Sequence, residues 1–179
     1  MKNWVFISDV PTLVPFGVNG IILSPKSTNY KYFYYTPIGS ESLFRVNTSV
    51  LTDPANKHVK TLKNSDVTDL GRKISQTDGF TVDDKSNMYF GSLTESSVYR
   101  TALPTENTAR GTLSEAEYYP LVRSNTKEFL WPDVFSFDGN GGLLLKTTKF
   151  HIYILKGTNP KTVNYRIVLF NTGGKAYNA

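Results

Sequence analysis

Three side chains of one chemical kind recur at the openings of three similar segments. Asn19 precedes Gly20-Ile21-Ile22-Leu23, Asp78 precedes Gly79-Phe80-Thr81-Val82, and Asp133 precedes Val134-Phe135-Ser136-Phe137, at spacings of 59 and 55 residues. Brought to a common axis, three such oxygen-bearing groups can hold a hard cation such as calcium, or receive a protonated amine through charge-assisted hydrogen bonds. Trp131, just upstream of Asp133, would add an aromatic face for a cationic or catechol ligand. A plainer account competes with this one. Asn-Gly and Asp-Gly are common turn dipeptides, and Asn19 and Asp78 would then form Asx turns before Gly20 and Gly79, with Asp133 held similarly after Pro132.

Other chemistry finds little support. His58 and His151 are the only histidines, each in an apparent strand. There is no paired metal-ligand spacing, nucleophile elbow, phosphate loop or dinucleotide fingerprint. Without cysteine, neither a disulfide framework nor a thiolate metal site can form.

The elements that would position the three openings follow from the repeat. Each unit runs through a short apolar strand, a polar turn, a strand rich in aromatic or apolar residues, and a further strand, as in Phe80 to Val82, Met88 to Phe90 and Val98 to Arg100. The first copy passes through Tyr32-Phe33-Tyr34-Tyr35 and Leu43-Phe44-Arg45-Val46; the third passes through Leu143-Leu144-Leu145 and Ile152-Tyr153-Ile154-Leu155. Self-similarity at this period, with strand alternation inside each unit, predicts propeller blades. Fourth strands are expected at His58 to Leu62, Tyr118 to Val122 and Val163 to Phe170, with Pro120 tolerable only on an edge. Thr48 to Pro54 is expected to form one helical turn, and the aromatic runs are expected to pack between blades.

The expectation is therefore an all-β chain, a β-propeller segment of about three four-stranded blades, with repeat units at about 17–63, 76–124 and 130–170 of a single partial domain spanning 1–179. Pro11 and Pro15 bar a regular ladder in the opening residues, and the end from Thr172 has no apolar period and is expected to fray. Three blades do not close with ordinary blade geometry, so a missing propeller half or self-association must cover the open faces.

Composition narrows the function classes. The net charge of +5 is spread along the chain, and its densest group, Lys57, Lys60 and Lys63, alternates with Val59 and Leu62 as the exposed face of an edge strand would. No nucleic-acid partner is expected. No apolar run approaches the roughly 20 residues of a membrane span, and the residues from Met1 to Asp9 do not read as a signal peptide.

In their order and spacing, Asn19 to Pro25, Tyr32 to Pro37, Leu43 to Leu51, Asp78-Gly79, Met88 to Gly91, Leu130 to Asp133 and Val163 to Ile167 resemble the major royal jelly protein and Yellow family over nearly the whole chain. The resemblance implies the C-terminal half of a six-bladed propeller and an extracellular location. It also implies one of several roles: a binder of a small ligand such as a biogenic amine or catechol in the central channel, a dopachrome-converting isomerase or calcium-dependent lactonase, or a structural or nutritive secreted protein. Many insect members carry a cysteine near the strand that here reads Val98-Tyr99-Arg100-Thr101; this chain has none.

Overall fold

The computed structural model describes residues 4–7, 10–13, 17–52, 62–104, 111–123 and 125–179. The regular structure of the described residues is mainly antiparallel sheet. A hairpin of β1 (Trp4–Ile7) and β2 (Val10–Leu13) comes first. The first large sheet has β3 (Val18–Leu23), β4 (Tyr32–Pro37), β5 (Ser42–Asn47) and β6 (Val67–Arg72) in simple order, with a one-turn helix α1 (Thr48–Thr52) after β5. The second has β7 (Phe80–Val82), β8 (Asn87–Ser92), β9 (Ser97–Ala102) and β10 (Tyr119–Val122). The third has β11 (Trp131–Phe137), β12 (Gly142–Thr148) and β13 (Tyr165–Asn171), with helix α2 (Phe150–Lys156) between the last two.

Each sheet is a meander whose first strand sits at one edge, and β7 packs between β3 and β11. This is the propeller-like arrangement the repeat predicts: first strands gathered together, later strands fanning outward. Period-two alternation supplies the core between sheets. Tyr34 and Leu43 of the first sheet meet Phe80, Val82, Met88 and Phe90 of the second, joined by Leu70, Tyr99, Leu103 and Leu113. The far side of the second sheet presents Val98 to Leu145, with Phe129 buried beside them and Phe135, Val168 and Phe170 packed around. Pro120 lies on the outermost strand, as expected, and the ladder shifts register between Pro120 and Val122.

Several expectations change. The fourth strand of the first sheet is β6, not His58 to Leu62; residues 58–61 lie outside the described set, as do Lys57 and Lys60. Leu70 shows why β6 is the strand: it is fully buried in the core, whereas Leu62 is only half-buried. Ile152 to Leu155 is helical rather than extended, so His151 lies in a helix and the third sheet has three strands. The cause is that β12 pairs directly with β13 along its whole length, leaving no ladder for an intervening strand. Pro11 is accommodated opposite Phe6, because a two-stranded ribbon leaves one side of each strand free of ladder bonds.

The chain end does not fray. Lys175 exchanges backbone and side-chain bonds with Asp84, and Ala176 bridges Asp83. The Tyr177 carbonyl accepts from the Lys26 N–H at 2.8 Å. The tail thus ties the second sheet to the first, through partners that no local pattern reveals.

Candidate functional site

Asn19, Asp78 and Asp133 meet where β3, β7 and β11 begin. Two β-bulges aim them. The β3–β4 ladder shifts register between Val18 and Gly20, and the β11–β12 ladder shifts between Pro132 and Val134. Asn19 and Asp133 are the extra residues, and a bulged residue is released from the inward-outward alternation of its strand. Gly79 makes the close approach possible: a Cβ there would lie 1.7 Å from the Asp133 carbonyl oxygen, so only glycine lets β7 meet β11 this closely.

Asp78 is the centre of the cluster. It is 4% exposed, and its two carboxylate oxygens accept from different sheets, one from the Asn19 amide and the other from the Trp131 indole N–H at 2.5 Å. These bonds reach across strands rather than back onto an Asx turn. Burial pushes the Asp78 carboxyl above the ordinary carboxylate range; the Trp131 and Asn19 donors oppose this, and the nearby Asp133 carboxylate adds to it. Asp133 forms an ion pair with Lys146 of β12 at 2.6 Å, both side chains partly exposed.

Trp131 is 0% exposed. One ring contact is an edge-on approach of Phe150 at 5.3 Å between centroids, the other a parallel stack with His151 at 6.1 Å. Its link to the site therefore runs through Asp78, while Phe150 supplies the aromatic wall. A cavity of about 300 Å³ is lined by Asn19, Asp78, Asp133, Ile38 and Phe150, together with Gly17 and Val18. Asp133 and Phe150 also line a neighbouring cavity of about 350 Å³ that includes Lys146 and Tyr153. Beside these, Val5 and Ile7 of the N-terminal hairpin pack with Ile38, Leu93 and Trp131, and the Phe6 N–H donates to the Gln76 side chain at 2.8 Å.

Lys146 and Phe150 escape a reading of the sequence because neither stands at a repeat opening; only the β11–β12 register places Lys146 opposite Val134, beside Asp133. Among the described residues, no group of three histidine, cysteine or acidic side chains is gathered to hold a metal ion.

A family model described as major royal jelly protein matches residues 10–176. No curated protein is matched by the sequence. Among solved structures, a luciferin-regenerating enzyme with a propeller fold superposes with a TM-score of 0.54 at 12% identity, covering 94% of this chain and 50% of that one. The chain thus spans about half the length of that neighbour, and the likeness concerns fold alone.

Proposed function

The chain belongs to the major royal jelly protein family, and from that premise we propose that it is a secreted propeller protein that binds a small protonated amine, with an aromatic or catechol body, at the cluster of Asn19, Asp78 and Asp133. The observation that carries this reading is the pair of neighbouring carboxylates, Asp78 and Asp133, of which Asp133 is ion-paired to Lys146. When both are ionised, the Lys146 ion pair satisfies Asp133 and leaves the Asp78 charge held only by neutral donors. An incoming ammonium relieves the repulsion between the two carboxylates.

Displacing Lys146 costs little, because a partly exposed ion pair is worth about 1 kcal/mol or less. The Asp133 carboxylate is then free to accept from the ligand, and Phe150 offers a ring to its aromatic part. Asp78, with Trp131 and Asn19 holding both its oxygens, contributes chiefly through its field and by fixing the three strand starts relative to one another. Family membership supports the extracellular location, and among the described residues no helix is long and apolar enough to cross a membrane.

Calorimetric titration with dopamine and serotonin tests the proposal, with 4-methylcatechol as the control lacking the amine. Saturable binding of the amines is expected, weakened at least tenfold by Asp133→Asn with thermal unfolding unchanged. Absence of saturable heat with either amine would sink it. Turnover of dopachrome or of a lactone, abolished by Asp78→Asn, would move the chain into an enzyme class instead.

A further inference from the structure

A cleft between the second and third sheets holds a cation that the amine site does not use. Its floor is a cross-strand row in which Tyr89 of β8 lies opposite Arg100 of β9, and Arg100 opposite Tyr119 of β10. Val98, two residues before Arg100 and so on the same face of β9, packs with Leu145 of the third sheet, which directs Arg100 at that sheet as well. The end of β13 supplies the other wall, with Leu169, Phe170 and Asn171. The cleft encloses about 540 Å³, within the range of small-molecule sites. Both walls belong to this chain, and none of their residues lines the two cavities around Asp133.

Arg100 is half-buried, and among the described residues it forms no ion pair; its guanidinium lies over the Tyr119 ring at 5.3 Å from the centroid. The carboxylates bonded to its two tyrosine neighbours are already engaged. Asp83, 1% exposed, accepts from the Tyr89 hydroxyl at 3.0 Å, from the Asn87 amide at 2.8 Å and from the backbone N–H groups of Lys85 and Asn87. Glu117 accepts from the Tyr119 hydroxyl. A ring beneath the guanidinium plane leaves the N–H fork at its edge free to donate. Beside that fork the cleft is walled by Pro120, Leu121, Leu169 and Phe170, which offer apolar surface and no second charge.

We propose that this cleft binds a small monocarboxylic acid with an apolar body. The carboxylate takes the bidentate geometry that the Arg100 fork presents, and the body lies along Leu121, Leu169 and Phe170. One guanidinium neutralises one negative charge, so a monoanion fits better than a phosphate monoester, whose second charge finds no cation among the residues lining the cleft. Asn171 adds a neutral amide at the same wall. Because the cleft shares no residue with the amine site, this proposal and the proposed function stand or fall separately.

Calorimetric titration of the purified chain at low salt with 4-phenylbutanoate tests this, with 4-phenylbutan-1-ol as the uncharged control and phenyl phosphate as the dianion. Saturable binding of the acid is expected, with the alcohol and the phosphate each at least tenfold weaker. Arg100→Gln should weaken the acid at least tenfold, whereas Arg123→Gln, which removes an exposed cation just past β10 and outside the cleft, should leave it unchanged. Because Arg100 also stacks on Tyr119, Leu169→Glu tests the site without touching that contact. Leu169 is 58% exposed, so circular dichroism should be unchanged, and the added carboxylate should weaken the acid at least tenfold while sparing the alcohol. Absence of saturable heat with the acid overturns the proposal. So does equal affinity for acid and alcohol, or binding indifferent to both Arg100→Gln and Leu169→Glu.

Discussion

Replacing Asp78 by alanine removes the acceptor for two donors at once, the Asn19 amide and the Trp131 indole N–H. The two losses are unequal. Asn19 is exposed and can turn to water, but Trp131 is fully buried and its N–H would have no partner. A buried orphan donor costs about 1–3 kcal/mol, and a hydrogen bond to a charged group contributes about 1.5–3 kcal/mol. Against this stands the unfavourable burial of the Asp78 charge, visible in its raised carboxyl pKa. The expected net loss is about 2–3 kcal/mol, or roughly 4–12 °C in Tm for a chain of this size.

Asp78→Asn separates hydrogen bonding from charge. Its amide oxygen can accept from Trp131 while its NH2 donates to a flipped Asn19, so the change should cost less than about 1 kcal/mol. The pH dependence follows from the sign of the shift. A carboxyl raised in the folded state binds its proton there more readily than in the unfolded chain, so stability falls as pH rises from the unfolded value of 3.8 through the folded one. Asp78→Asn lacks this component, and its stability relative to wild type should improve as pH rises through that window. Urea unfolding at fixed protein concentration from pH 3.5 to 7 measures both effects. If alanine is within about 0.5 kcal/mol of wild type at pH 7, or if asparagine and alanine are equally damaging, the reasoning about Trp131 and Asp78 is wrong.

Lys73 offers a second test by pH. Its ammonium is buried against the Thr36 hydroxyl and the Glu41 carbonyl, both at 2.9 Å, and burial pushes its pKa from 10.5 down to about 7. Between those values the unfolded chain binds the extra proton, so stability should rise by a few kcal/mol from pH 7 to 10, a slope that Lys73→Met should remove in urea titrations. Gly79→Ala places a Cβ 1.7 Å from the Asp133 carbonyl oxygen, forcing β7 and β11 apart. Overpacking of this kind should cost about 3 kcal/mol by urea unfolding, and it should abolish amine binding even where the chain remains folded.

The sequence by itself determined what neighbours along the chain decide. The strand-forming aromatic runs Tyr32 to Tyr35 and Met88 to Phe90, and Pro120 at an edge, are consequences of β-propensity and of local φ preferences, and each appears in the structure. The recurrence of Asn19, Asp78 and Asp133 was likewise legible, because it follows the repeat itself. Tertiary structure decided the rest. Which ladders carry bulges, and hence where Asn19 and Asp133 point, depends on register with a partner strand. That Asp78 holds Trp131, 53 residues away, depends on how sheets stack. Ile152 to Leu155 reads as a strand in isolation and becomes a helix because β13 already fills the place beside β12. In each case the winning interaction joins residues far apart in sequence, where no local pattern records it.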